Sequence, residues 1–343
     1  MLTRQTWAQI DLNALKNNID IIKNTSQKAL FAVIKANAYG CGAEIIARYA
    51  LEYGADYLVV SSMDEGLDLR RKGIDGNILI LSYTDPRFID LAIENNFTLT
   101  VPSLNWVQRC EKNDYSNLKV HIKVDTGMNR VGICDLVELE KTLALLNMKH
   151  FNIEGIFSHY ACSDNPDGIM VNKQFSRFYE AIQTLNYPFK WIHISNSDGT
   201  LHYPDKITNA VRAGLAMYGI ASYESDLKPV MSLYSRLIQA KKVYAGETIG
   251  YGATYMVKSS EWIGTLPIGY ADGWLRKNQN GQCYLKGSIC TFVGRICMDQ
   301  CMIKMPKEFP IDSVVELFGP HISIMDVAKL LDTIPYEIMT SVS

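Results

Sequence analysis

Eight short apolar runs alternate with helical patterns over residues 29–220, and this alternation constrains the fold more than any other feature of the sequence. The runs lie at 29–35, 57–61, 77–82, 98–101, 119–125, 153–159, 191–195 and 209–219. Amphipathic stretches of helix length separate most of them, for example 63–73, 135–147 and 172–186. Repeated strand–helix units predict parallel strands, and eight is the number of strands that closes a (β/α)8 barrel. A further helix is predicted to begin at Asp11, ahead of the first run.

The pattern changes after about residue 230. Segment 232–318 is rich in Val, Ile, Tyr and Thr with frequent glycines, and helical periodicity returns only at 324–332. Such a segment is typical of an all-β module with many turns. The predicted fold class is therefore α/β: a (β/α)8 TIM barrel over 1–228, followed by a C-terminal all-β domain over 229–343.

Composition excludes several classes of protein. Of the 343 residues 48% are hydrophobic and 20% charged, which is typical of a folded globular chain rather than a disordered one. The net charge of -2 gives no basic surplus for nucleic acid or an anionic membrane. No apolar run reaches the roughly 18 residues that span a bilayer, and the N-terminus lacks the apolar stretch of a signal peptide. We expect a cytoplasmic protein whose eight cysteines, none at zinc-site spacing, are reduced thiols and bind no metal.

Lys35 is the first candidate for chemistry. It ends the first apolar run and precedes the flexible segment ANAYGCG. Active sites of such barrels form at the C-terminal ends of the strands. A lysine there is partly desolvated, which makes its amine more nucleophilic, and we favour a Schiff-base lysine over one that merely extends to solvent.

Other polar residues follow the later strands and converge on the same end of the barrel. Strand five is followed by Lys123, Asp125 and Arg130, strand six by His159, strand seven by Ser195, Asn196 and Ser197, and strand eight contains Arg212, Ala213 and Gly214. Small residues after the last two strands are typical of the phosphate site of such barrels. A lysine, a phosphate site and an arginine together predict a pyridoxal 5′-phosphate (PLP) pocket. No P-loop, GxGxxG or HExxH motif supports a nucleotide or zinc enzyme.

Six motifs carry a resemblance to a known family. VIKANAYGCG, KVDTGMNRVG, NAVRAGLAMYG, GYGATY, GYADGW and GRICMDQ resemble the motifs of bacterial alanine racemases, and the similarity extends in order over essentially the whole chain. The resemblance implies an isomerase that interconverts L- and D-alanine for cell-wall precursors by a two-base mechanism. It also implies PLP as cofactor and a head-to-tail homodimer, in which each active site borrows residues from the partner's β domain.

The resemblance also implies a role for each matching residue. Lys35 corresponds to the Schiff-base lysine and one base, and Tyr251 to the opposing base, donated by the other subunit. The cofactor pocket corresponds to Lys35, Tyr39, His159, Ser197, Arg212, Gly214 and Leu215, with Arg212 at the pyridine nitrogen. The residues that match the family's substrate-binding positions are Arg130, Met298 and Asp299. The residues that match supporting positions are Lys123, a lysine often carbamylated in the family, and Tyr270, Arg276 and Arg295.

Three departures from the family pattern leave the substrate open. Cys41 replaces a histidine, Asn129 replaces a glycine, and the sequence ends at Ser343, short of a stretch that normally supplies an active-site tyrosine. The alternative is therefore the cytoplasmic domain of a membrane-bound serine racemase of glycopeptide-resistant bacteria, which would act on L-serine as well as alanine. We expect serine turnover within about two orders of magnitude of alanine turnover.

Two other classes remain as rivals. A non-catalytic PLP carrier would lack both the β domain and the tyrosine of GYGATY. A barrel decarboxylase would be expected to place a carboxylate, and not Arg212, at the ring nitrogen.

Overall fold

The computed structural model describes residues 4–223 and 226–342, which form two compact units. Within those residues, one unit comprises 12–38 and 42–228, and the other comprises 4–11, 39–41 and 229–342. The first strand, β1 (Thr6–Ile10), belongs to the second unit because it pairs antiparallel with a strand near residue 231. In the described part of the chain, no helix is both long and apolar enough to cross a membrane.

Eight parallel strands of the first unit close into a barrel, and each lies within or overlaps one of the eight predicted runs, which confirms the predicted barrel. They are β2 (Ala29–Val33), β3 (Tyr57–Val60), β4 (Ile78–Ile80), β5 (Phe97–Val101), β6 (Lys119–Lys123), β7 (Asn152–Phe157), β8 (Trp191–His193) and β9 (Ala210–Ala213). Pairing of β2 with β9 closes the barrel and places Phe31 opposite Arg212. The strands are almost entirely buried because helices cover them outside and side chains fill them inside.

Helices connect the barrel strands. They are α1 (Leu12–Ser26), α2 (Lys35–Tyr39), α3 (Ala43–Glu52), α4 (Met63–Arg71), α5 (Ile89–Glu94), α6 (Leu104–Gln108), α7 (Leu136–Met148), α8 (Ile169–Leu185) and α9 (Ser197–His202). Of these, α2 is a left-handed turn and not a right-handed helix. Polar side chains begin several of them. Ser62 forms a capping box with Glu65 at α4, and Asp135 accepts a hydrogen bond from the Glu138 amide at α7.

The second unit contains an antiparallel sheet, as the glycine-rich β pattern predicted. Its eight strands are ordered β1-β10-β18-β15-β16-β17-β14-β11, with β12 and β13 forming a separate pair. The strands are β10 (Met231–Arg236), β11 (Gln239–Val243), β12 (Thr248–Ile249), β13 (Tyr255–Met256), β14 (Glu261–Leu266), β15 (Gln282–Leu285), β16 (Ser288–Val293), β17 (Cys301–Met305) and β18 (Val314–Phe318). Two helices follow: α10 (Ile324–Leu331), as predicted, and α11 (Pro335–Ser341), which was not predicted.

Candidate active site

Lys35 stands where the first barrel strand ends, on a backbone of unusual conformation. The three residues after it, Ala36, Asn37 and Ala38, have left-handed φ angles of 52°, 51° and 54°, and Tyr39 continues the turn at 54°. This conformation costs roughly 1–2 kcal/mol for each residue that is not glycine. Strained backbone persists only where its surroundings hold it, and it concentrates at functional sites. The conformation therefore marks the Lys35 segment as a candidate site independently of its sequence motif.

The environment of Lys35 favours its neutral amine. The side chain is half-buried, and burial lowers the pKa of its amine, as does the charge of Arg130, while Glu65 acts in the opposite direction. A lysine with a lowered pKa is a better nucleophile and base at neutral pH. This agrees with the reactive role predicted for Lys35.

Arg212 is buried inside the barrel with 2% of its surface exposed. Its Nη2 donates to Ser158 O at 2.6 Å, to Ile194 O at 2.9 Å and to His159 Nδ1 at 3.0 Å, while Nη1 donates to His193 Nδ1. Burial lowers the pKa of the guanidinium to about 9, so it is still protonated at neutral pH. The site thus contains a fixed buried cation whose four described acceptors are all neutral.

The hydrogen bonds of Arg212 determine the protonation of its two histidines. Arginine can only donate, so His159 and His193 must each present an unprotonated Nδ1. Burial, followed by the charge of Arg212, holds the pKa of both imidazoles well below the usual range. His159 is therefore neutral, with its proton on Nε2, where it can donate a hydrogen bond.

Lys123, at the end of β6, is also buried. Its Nζ donates to Val124 O at 3.2 Å and lies 5.0 Å from the centre of the Phe157 ring. Burial and the charge of Arg212 lower the pKa of its amine to about 7. A large fraction of this amine is therefore neutral at physiological pH, and neutral amines react with carbon dioxide.

Arg130 lies exposed on the loop after β6, close enough for its charge to affect Lys35, Lys123 and His159. Asp125 shapes this loop by accepting hydrogen bonds from Gly127 N at 2.9 Å and Asn129 N at 3.1 Å. Asn129 has a left-handed φ of 54°, a conformation that asparagine tolerates better than most residues other than glycine. This explains why asparagine can occupy a position where the motif usually has glycine.

Ser197 and Gly214 form a small polar cradle after the last two barrel strands. Ser197 Oγ accepts hydrogen bonds from Gly214 N and Ala216 N, both at 3.1 Å, and Leu215 lies between these two amides in the chain. Ser197 and Gly214 are buried, and the group consists of small side chains and backbone amides. This is the arrangement predicted for a phosphate group.

The barrel residues fit PLP. Lys35 offers an amine of lowered pKa, the cradle offers hydroxyl and amide groups of the kind that bind phosphate, and Arg212 offers a buried cation with neutral partners. The predicted Tyr39 belongs to the second unit; it is half-buried, and burial together with Tyr336 of the same unit raises the pKa of its phenol to about 12, so it remains a hydrogen-bond donor. Burial likewise raises the pKa of Cys41 to about 12, which agrees with its interpretation as a small packing residue and not a nucleophile.

Tyr251 lies in the second unit, in a single turn of 3-10 helix, Tyr251–Ala253. Gly250 and Gly252 flank it with φ angles of 71° and 73°. A Cβ atom on Gly252 would lie 3.0 Å from Nη1 of Arg295, so glycine lets Arg295 pack over this turn. The Tyr251 side chain is 72% exposed, which leaves its hydroxyl available to another molecule.

Met298 and Asp299 lie on an exposed loop that neighbouring backbone holds in place. Tyr270 N donates to Cys297 O at 3.1 Å, and Ala271 N donates to Met298 O at 2.9 Å. Arg4, which sequence reasoning missed, donates to Asp299 O at 2.7 Å and pairs with Asp272. Burial raises the pKa of the Cys297 thiol at the start of this loop, and the nearby positive charge of Arg276 acts in the opposite direction.

The predicted residues therefore form one group in the barrel and two in the second unit. The barrel group is Lys35, Lys123, Arg130, His159, Ser197, Arg212 and Gly214, and the groups of the second unit are Tyr251 with Arg295, and Tyr270 with Met298 and Asp299. Sequence reasoning missed His121, His193 and Glu65. The two histidines each interrupt an apolar strand run, and this interruption was the available signal.

Comparison with known proteins finds one family. The family models described as "Alanine racemase, N-terminal domain" and "Alanine racemase, C-terminal domain" match residues 10–222 and 230–343. Alanine racemase of Geobacillus stearothermophilus is 41% identical over 357 residues, which cover 99% of this chain and 92% of that protein. The crystal structure of alanine racemase from E. faecalis superposes with a TM-score of 0.95 at 39% identity, covering 99% of this chain and 96% of that one. A crystal structure of alanine racemase from Bacillus anthracis "with bound L-Ala-P" superposes with a TM-score of 0.94 at 38% identity. The match covers 100% of this chain and 94% of that one.

Proposed function

The chain belongs to the alanine racemase family of PLP-dependent isomerases, and from this premise we propose how its own residues interconvert L- and D-alanine. PLP, when bound, withdraws electrons from Cα of an attached amino acid and so makes the Cα proton acidic. Lys35 would hold the cofactor, Ser197 and the amides near Gly214 would bind its phosphate, and Arg212 would donate to its ring nitrogen. The observation that carries the proposal is the half-buried Lys35 amine of lowered pKa at the end of β2.

Racemisation needs a proton-transferring group on each face of Cα. Lys35 is the base on one face, because its environment favours the neutral amine. Tyr251 is the base on the other face, since its exposed side chain leaves the hydroxyl accessible to a substrate held by another chain. In either direction one base removes the Cα proton from its own face, and the conjugate acid of the other delivers a proton to the opposite face, which inverts the configuration. We assign the proton of L-alanine to Tyr251 and that of D-alanine to Lys35.

His159 links the buried cation to the second base. It accepts from Arg212 through Nδ1, which leaves Nε2–H as a donor. Set against the partner subunit's Tyr251, this donor would stabilise the phenolate that the base forms. Arg130, together with the backbone amides of the Met298–Asp299 loop, binds the substrate carboxylate. We infer that Lys123, whose neutral amine is well populated, is carbamylated and orients Arg130.

We propose that two chains assemble head to tail and share their active sites. Tyr251, Tyr270 and Met298 are 72%, 44% and 53% exposed, and exposed aromatic and apolar side chains grouped on one domain are typical of an interaction surface. The partner subunit's Tyr251 and Met298 loop would then complete the site built around Lys35. The second substrate considered, L-serine, gains no support from the relatives described above, which are alanine racemases.

Chiral chromatography after incubation of the purified chain with PLP tests the function. We expect L-alanine and D-alanine each to yield the other isomer and L-serine to react more slowly. A chain that binds PLP and yields no D-alanine from L-alanine would overturn the proposal.

A further inference from the structure

Glu65 connects the strained Lys35 segment to the neighbouring strand end. Its Oε1 accepts a hydrogen bond from Ala36 N at 2.7 Å, and its Oε2 accepts from Ser61 N at 2.6 Å and from Ser62 N at 3.4 Å. Ser61 follows β3, and Ala36 is the residue after Lys35. One carboxylate therefore spans the ends of two adjacent barrel strands.

The left-handed turn is held by this contact in addition to local ones. Ala38 N donates to Ile34 O and Gly42 N to Asn37 O, both at 2.9 Å, and Asn37 Oδ1 accepts from Ala43 N at 2.9 Å. Four consecutive residues with left-handed φ angles are costly unless contacts over-determine them. Hydrogen bonds to a carboxylate are among the stronger ones in proteins. The bond from Ala36 N holds the turn at the residue next to Lys35.

Glu65 also contributes charge at the Lys35 amine. Among the described residues, the charges that act on this amine are Arg130, which favours the neutral form, and Glu65, which favours the ammonium. If only the Glu65 charge is removed, burial and Arg130 lower the pKa of the Lys35 amine without an opposing negative charge. Geometry and charge at Lys35 therefore both depend on one side chain that does not itself reach the reacting atoms.

We propose that Glu65 is a positioning residue for Lys35, fixing the left-handed turn that presents the amine and setting the charge around it. The catalytic consequence rests on the proposed function, whereas the effect on the amine does not. The pair Glu65→Gln and Glu65→Asp separates the two contributions. Glutamine keeps the length but removes the charge and one acceptor, and aspartate keeps the charge but loses the reach to Ala36 N.

The first readout needs neither PLP nor turnover. The full chain is labelled briefly with acetic anhydride over a range of pH, and mass spectrometry measures acetylation of the peptide that contains Lys35. In Glu65→Gln the midpoint of labelling should shift to lower pH than in the wild type, whereas in Glu65→Asp it should stay closer to the wild type. The control is Asp64→Asn, which removes an exposed carboxylate from the same turn of α4 and should leave the midpoint unchanged.

The second readout is the pH profile of kcat/KM for alanine in the PLP-loaded enzyme. Loss of a charge-assisted hydrogen bond predicts a fall of about tenfold or more in both Glu65 variants, with an altered pH profile in Glu65→Gln alone. If whichever Glu65 variant folds matches Asp64→Asn in both midpoint and kcat/KM, the proposal is overturned. If the midpoint shifts in Glu65→Gln but the wild type does not racemise alanine, the positioning role stands and the proposed function fails.

Discussion

His121 Nδ1 lies 3.0 Å from His193 Nε2 inside the barrel. Because His193 Nδ1 accepts from Arg212, the His193 proton must be on Nε2 and is donated to His121. His121 Nε2 then carries a proton without a hydrogen-bond partner among the described atoms. Gly155 makes room for this ring, since a Cβ atom there would lie 2.8 Å from His121 Cδ2. The cation at Arg212 thus fixes the tautomers of two successive neutral imidazoles.

This arrangement predicts sensitivity to acid. Burial lowers the pKa of His121 to about 3, so the folded state stays neutral there while the unfolded chain takes up a proton below the ordinary value of 6.5. The stabilising contribution of neutral His121 is fully present above pH 6.5 and is lost as the pH falls from 6.5 toward 3. The loss is up to about 1.4 kcal/mol per pH unit for each such histidine.

Replacement His121→Gln removes one group that takes up a proton when the chain unfolds in acid, so the free energy of unfolding should depend less steeply on pH. Urea unfolding measured between about pH 6 and pH 5 should give a shallower slope of unfolding free energy against pH, by up to about 1.4 kcal/mol per pH unit. His150→Asn, at an exposed histidine with a left-handed backbone, is the control and should keep the wild-type slope. Equal slopes in all three proteins would show that His121 is not neutral in the folded state.

Replacement Lys35→Ala should abolish stable cofactor binding and nearly all racemisation. The variant loses both the amine that holds PLP and one of the two bases, so the rate should fall by more than about a thousandfold. Visible absorbance after addition of PLP and removal of excess cofactor measures the first effect. Lys173→Ala, at an exposed helical lysine, should behave as the wild type. A persistent bound-cofactor band in Lys35→Ala would identify a different lysine as the attachment point.

Replacement Tyr251→Phe should affect one isomer more than the other. The phenyl ring cannot act as a base, so exchange of the Cα hydrogen with D2O should slow by about a hundredfold or more from L-alanine and persist from D-alanine. Mass spectrometry of each isomer measures the exchange. Tyr255→Phe is the control, because the Tyr255 hydroxyl donates to Glu261 at 2.7 Å and has a packing role. Wild-type exchange from both isomers in Tyr251→Phe would exclude this tyrosine as a base.

Local periodicity was enough to predict the barrel, because each strand run and each intervening helix has its own pattern. It could not predict the left-handed turn after Lys35, since alanine favours the right-handed helix and the turn depends on Glu65, almost thirty residues away. The same limit applies to β1, whose partner strand begins at Met231. Motifs indicated the polar residues at the strand ends, whereas the Arg212–His193–His121 chain arises only when three strands close around one interior.

The central claim is that each active site combines Lys35 of one chain with Tyr251 of another, and mixing two inactive variants tests it most directly. Lys35→Ala and Tyr251→Phe chains, refolded together in equal amounts, form mixed dimers in which one of two sites is intact. With random pairing, alanine racemisation should recover to roughly a quarter of the wild-type rate, while each variant alone stays inactive. Recovery should follow the fraction of mixed dimers measured by native mass spectrometry. If mixed dimers form and racemisation does not return, each site is built within a single chain and the account is contradicted.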